Sequence, residues 1–137
     1  MLAKRSVGIS RVMSAICLKE LQALAMLHGD IQAAFISTAD GYEVASVLNN
    51  KITNQSLASM TISMHGLGEA VVSEAQQKHC QNVIIESENG KIVMLAIHDT
   101  KEDLLLSMVT DSNVALGQLL WSGRACAKRI SEKLLNS

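Results

Sequence analysis

The sequence predicts an α/β fold of the α+β kind. It is a three-layer sandwich in which a five-stranded antiparallel sheet carries the first and last helices on one face and a long middle helix on the other. Three observations predict it. Short apolar runs flank Asp40-Gly41, and two more flank Asn89-Gly90; both pairs read as β-hairpins, because glycine tolerates the positive φ that tight turns demand. The runs Ile92 to Ile97 and Leu104 to Leu106 are apolar without alternation, the pattern of strands covered on both faces. Helical periodicity precedes, separates and follows these strands, so the helices must be divided between two sides of one sheet.

The first helix runs from about Ser10 to Leu27, where Val12, Met13, Ile16, Cys17, Leu21, Leu24 and Leu27 recur at threes and fours and His28-Gly29 provides a stop. Ile31 to Ser37 and Tyr42 to Leu48 are the strands of the first hairpin. The middle helix is expected from about Thr53 to Lys78, capped by Thr53 or Asn54. Asn82 to Glu86 and Lys91 to Ile97 form the second hairpin, and Leu104 to Thr110 completes a meander. Asp111, Ser112 and Asn113 are cap-grade residues ahead of a last helix carried by Val114, Leu116, Leu119, Leu120, Ala127, Ile130 and Leu134.

The middle helix stands out because Ile52 to Gly68, seventeen residues, hold no acidic or basic side chain except His65 and no proline. A helix with one buried face normally carries Lys and Glu on its back. Helical geometry puts Leu57, Met60, Thr61, Met64, Leu67, Gly68, Val71, Val72 and Ala75 on a bulky side, expected against the sheet. Ser59, Ile62, Ser63, Gly66, Ala70 and Ser73 form a small, neutral side, which suits close approach of another helix. The second hairpin leaves Asn82 to Glu86 as an apolar sheet edge, and such edges are usually blunted or occupied. A two-fold partner would cover the edge, with Val83 and Ile85, and the small helix side together, so these residues and Ser59, Ile62, Ser63, Gly66, Ala70 and Ser73 are the expected dimer interface.

Composition removes several function classes. With 137 residues the chain fits one domain, and a net charge of −1 with scattered Lys and Arg leaves no nucleic-acid footprint. The only aromatics are Phe35, Tyr42 and Trp121, too few for base stacking. Cys17, Cys80 and Cys126 have no zinc or CxxC spacing, which implies free thiols in a reducing, cytoplasmic compartment. Lys4 and Arg5 precede an apolar stretch, but Arg11, Lys19 and Glu20 interrupt it against a signal peptide. Thr53, Asn54, Gln55 and several serines make the charge-poor segment too polar to span a bilayer.

The sequence resembles the Roadblock/dynein light chain family, and within it the bacterial MglB-like regulators of small Ras-like GTPases. The resemblance lies in Ala33-Ala34-Phe35-Ile36-Ser37 leading to Asp40-Gly41-Tyr42-Glu43-Val44-Ala45-Ser46, similar to the family's strand, acidic-Gly turn and return strand ending in Ala-Ser. It continues in Val83-Ile84-Ile85-Glu86 with Asn89-Gly90-Lys91-Ile92-Val93-Met94, and in Thr110-Asp111-Ser112-Asn113-Val114-Ala115-Leu116-Gly117 ahead of the last helix. It covers about residues 10–133 of a single domain 1–137. Met60, Ser63 and His65 depart from the Ala and Leu common in relatives, which puts partner choice in doubt. The resemblance implies a profilin-like roadblock fold and a homodimer with a continuous sheet. It also implies a regulator or adaptor acting on a small Ras-like GTPase.

Motifs for chemistry of the chain's own are absent. There is no GxxxxGK[ST], GxSxG or HExxH, and Gly66-Leu67-Gly68 lacks the third glycine of a dinucleotide fingerprint; close helix packing accounts for both glycines. His79 and Cys80, expected at a helix end, point away from each other, and a helix C-terminus disfavours a thiolate. His65 is expected at the core rim or a subunit interface, and His98-Asp99 in a turn. Arg124, Lys128, Arg129 and Lys133 give the last helix a basic end, and Trp121 is expected half-buried as a partner anchor. No catalytic, cofactor-binding or metal-binding residue is therefore assigned. The expected function is a non-catalytic, homodimeric module that regulates a GTPase through the partner's own active site. The alternatives are a structural adaptor without effect on GTP turnover, or a small-molecule sensor, for which the aliphatic composition offers few polar anchors.

Overall fold

The computed structural model describes residues 10–48 and 54–137. They form α1 (Arg11–Leu27), β1 (Ile31–Thr38), β2 (Glu43–Leu48), α2 (Asn54–Glu74), β3 (Asn82–Ser87), β4 (Gly90–Ile97), β5 (Leu104–Asp111) and α3 (Leu116–Leu135). The strands make one antiparallel sheet in the order β2-β1-β5-β4-β3. Each hairpin thus supplies one edge, and β5 joins them through the middle. α1 packs on β1, β2 and α3, and α3 lies on β4, whereas α2 meets β1, β2 and β3 from the other side. These are the predicted layers.

Ser10 caps α1 by accepting a 3.0 Å hydrogen bond from the Met13 amide. In the first hairpin Gly41 adopts φ +100°, and Thr38 Oγ1 braces the turn by donating to Asp40 Oδ1 at 2.6 Å and accepting from the Tyr42 amide at 3.1 Å. The caps expected at Thr53 and the Asn54 side chain, like Lys4 and Arg5, lie outside the described residues.

Three boundaries differ from the sequence reading. The second hairpin pairs Ser87 with Gly90, so its two-residue loop is Glu88-Asn89 and Gly90 opens β4. Gly90 is needed there for proximity, since a Cβ would stand 2.3 Å from the Thr110 carbonyl oxygen. α2 stops at Glu74, short of Lys78, in a Schellman arrangement: the Gln77 amide donates to the Val72 carbonyl and the Gln76 amide to that of Ser73, with Gln76 at φ +61°. His79 and Cys80 therefore lie in a connector, not on the helix. At the start of α3, Asp111 Oδ1 accepts from the Asn113 amide at 2.9 Å in a turn, and the helix begins after Ala115 without a side-chain cap.

Alternation along the strands sends successive side chains to opposite faces. Ala34, Ile36, Val93, Leu95, Leu106 and Met108 join Cys17, Leu21, Leu24, Leu119, Cys126 and Ile130 in the core beneath α1 and α3. Phe35, Met94 and Leu105 point the other way and, with Ala33, Ala58, Thr61, Ser37 and Ser107, fill the space beneath α2. Within the first core sits a carboxylate: Glu20, 5% exposed, accepts from Arg129 Nε at 2.8 Å and Lys133 Nζ at 2.5 Å, which clamps α1 to α3. Burial alone would raise its pKa, but the two cations outweigh burial and hold it below the ordinary 4.5.

Candidate protein interaction interface

α2 is rotated from the orientation its composition predicted. Its sheet-facing side is formed by Ala58 and Thr61, both buried, and by the half-buried Ile62, His65, Gly68 and Val72. Small side chains let the helix sit close to the sheet connector: a Cβ on Gly68 would meet Cys80 Sγ at 2.9 Å and Val83 Cγ2 at 3.0 Å. The expectation that the bulky side packs on the sheet is overturned for Met60, Met64, Leu67 and Val71, which are exposed, three of them by 60% or more. They follow one another at four, three and four residues and form an apolar stripe about 16 Å long on the outer surface.

Beside that stripe, Ser59, Ser63, Gly66, Ala70 and Ser73 are exposed, while Ile62 turns partly inward. Gly66 meets nothing within 4 Å of where its Cβ would be, so close packing within the chain explains Gly68 but not Gly66. β3 is an outer strand of the sheet; Val83 and Ile85 are half-buried on the α2 side and Ile84 is exposed on the other. The outward side of α2 and the free strand thus form one border of the molecule. The apolar stripe is the candidate feature that sequence reasoning missed. Its signal was the absence of charge all round the helix, which leaves no side with a reason to face water.

The remaining candidates carry no chemistry of their own. Cys80 is buried, which raises its thiol pKa, and its amide donates to Glu69 Oε2 at 3.2 Å, while His79 is exposed at φ +55°. Cys17 and Cys126 are pushed up by burial to about 12 and about 11. All three thiols are free. Among the described residues no three His, Cys, Asp or Glu side chains converge to hold a metal, and no helix is long and apolar enough to cross a membrane.

A cavity of about 480 Å³ opens beneath α2 at the β4–β5 end, with His65, Glu69, His79, His98, Asp99 and Asp103 in its walls. Its walls are more polar than the composition led one to expect. His65 Nε2 is buried without a hydrogen-bond partner among the described residues. His98 and Asp99 lie in the exposed loop, Asp99 at φ +61°. On the opposite face Trp121 is 72% exposed, not half-buried. Of the basic end of α3, Arg129 and Lys133 are taken up by Glu20, and Arg124 and Lys128 are exposed.

The comparisons with known proteins agree with this architecture. The family model for the Roadblock/LC7 domain matches residues 17–109. An uncharacterized protein of Methanocaldococcus jannaschii is 28% identical over 104 residues, covering 76% of this chain and 84% of that protein. Among solved structures, the gliding protein MglB of Thermus thermophilus superimposes with a TM-score of 0.79 over 96% of this chain and 98% of its own, at 13% identity. An MglB with a tetrameric arrangement gives 0.79 over 96% of both chains, at 15% identity. At these identities the likeness is one of fold.

Proposed function

The chain belongs to the Roadblock/LC7 domain family, and from that premise we propose that it acts as a cytoplasmic homodimer which binds a small Ras-like GTPase and regulates or positions it. The observation that carries the reading is the meeting, on one border, of an exposed apolar helix stripe with the open outer edge of an apolar strand. A two-fold axis along that border joins β3 to its copy and α2 to its copy in one self-complementary contact. Eight side chains of the Met60, Met64, Leu67 and Val71 type would then leave water. At up to roughly 1.5–3 kcal/mol each, their gain is on the scale of the association cost, about 4–15 kcal/mol, and strand pairing adds directional hydrogen bonds. Ser59, Ser63, Gly66, Ala70 and Ser73 let the helices approach, and Ile62, Val83 and Ile85 extend the contact from beneath. The MglB solved as a tetramer is consistent with self-association of the fold.

Regulation would work through the GTPase's own phosphate-transfer residues, because this chain has no phosphate loop. Light scattering on a size column should show a dimer at micromolar concentration, and Leu67→Arg and Gly66→Leu should both give folded monomers. Purified protein should then capture a Ras-like GTPase of the same cell unequally in its GDP and GTP-analogue states, and change its turnover. Equal capture with unchanged turnover would instead assign the adaptor role. A monomeric wild type would remove the interface.

A further inference from the structure

We propose that the outer flank of α3 is a docking site for an acidic segment of a protein partner, with Arg124 and Lys128 gripping a carboxylate and Trp121 receiving an apolar side chain beside it. The grip has a precedent in this molecule. Arg129 and Lys133, four residues apart on α3, hold the carboxylate of Glu20 between them at 2.8 and 2.5 Å. Arg124 and Lys128 repeat the same residue types at the same spacing on the same helix. Among the described residues the only ion pairs are those of Glu20, so the second Arg-x-x-x-Lys pair holds no carboxylate from this chain.

Its surroundings are shaped for more than one charge. Arg124 and Lys128 line both of two adjoining grooves. One, of about 420 Å³, runs along the helix past Gly117, Leu120 and Trp121; the other, of about 340 Å³, lies between α3 and β4, with Leu95, Ala96, Ser131 and the loop residues His98 and Asp99 in its walls, Asp99 making no ion pair with either cation. The side chain of Trp121, large and 72% exposed, stands one turn before Arg124, and a bare Gly117 leaves room beyond it. From Gly117 to Lys128 is about 16 Å, the reach of about five residues of extended peptide. A membrane surface fits less well, since lipid-binding patches gather roughly 4–8 cations and this flank offers two. The flank lies across the sheet from α2, so it does not depend on the proposed dimer contact.

Trp121 is the only tryptophan, so its emission reads the site directly. Titration with a synthetic peptide containing Glu-Glu-Leu-Phe should shift the emission to the blue and saturate. The Gln-Gln-Leu-Phe counterpart should bind at least tenfold more weakly, and so should the Arg124→Glu and Lys128→Glu variants toward the acidic peptide. A lysine peptide should recover binding to the double reversal. Circular dichroism melting confirms that the variants fold, and Leu67→Arg should leave peptide binding unchanged, which separates this site from the α2 interface. Equal binding of the glutamine peptide, an undiminished response in the double reversal, or stronger binding to phosphatidylserine vesicles or inorganic phosphate than to the peptide would overturn the proposal.

Discussion

Beneath α1 and α3, the core closes around Leu21, Leu106 and Ile130, and its one buried carboxylate has both cations it needs. Beneath α2, the Ser37 and Ser107 hydroxyls and His65 Nε2 are buried with no partner among the described residues, and four large apolar side chains face outward from the same helix. An unpaired buried polar atom costs free energy, and so does apolar surface left in water. The first layer thus satisfies its buried carboxylate within one chain, although Met26, Leu27 and Trp121 stay exposed on its helices, whereas the second leaves three buried polar atoms without a partner among the described residues beneath a contiguous apolar stripe.

Substitutions can break or sharpen that contrast. The largest effect is expected in the closed layer: Leu106→Ala, at a fully buried position, should cost about 2–5 kcal/mol in urea unfolding. Val72→Ala, half-buried beneath α2, should cost nearer 0.8 kcal/mol for its two partly covered methyls. Equal losses would mean the two layers are equally packed.

Next is the clamp. Glu20→Gln should cost about 1–3 kcal/mol at neutral pH, because charge-assisted bonds become neutral ones. The folded pKa of Glu20 is lowered, so its contribution is complete above its unfolded pKa and is lost as pH falls through the folded value. Wild type and variant should therefore converge in melting temperature as pH falls below the ordinary glutamate range; a gap that persists into acid would show that packing, not charge, holds the helices. The smallest effect is at Ser107→Ala, which deletes an unpartnered hydroxyl and should leave stability within about 0.5 kcal/mol of wild type or raise it. A larger loss would mean that the hydroxyl is satisfied and the α2 layer is better made than its geometry indicates.

Much of the fold was legible because local chemistry and global architecture agree. Gly41 marks the first hairpin, the recurrence of Met13, Cys17, Leu21 and Leu24 at threes and fours marks the first helix, and the unalternating run through Val93, Met94 and Leu95 announces a strand with cover on both faces. The rest depended on contacts that no local pattern contains. Asn89-Gly90 located the second hairpin but misplaced its loop, because Gly90 answers to the Thr110 carbonyl on β5 and not to the turn. The rotation of α2 was misread for a similar reason. Periodicity does not fix the rotation of a helix to within a residue: hydrophobicity put Met60 and Leu67 on the sheet side together with Thr61, Gly68 and Val72, and only the latter three face it, with Gly68 close against Cys80 and Val83. On the outward side of α2, the five small exposed residues were recognisable from their lack of charge. The four apolar ones beside them were hidden by the assumption that large apolar side chains face inward.

The clamp between Glu20 and Arg129 and Lys133 also sets an order of events during synthesis, since its two halves lie 109 and 113 residues apart. A ribosome adding about 5–20 residues per second finishes α2 and its outward stripe several seconds before it reaches Arg129. During that interval the nascent chain presents the outward stripe of α2 while Leu95 and Met108 still lack their cover from α3. If the proposed α2 contact forms, it is therefore available to neighbouring nascent chains on one message before either has a closed core.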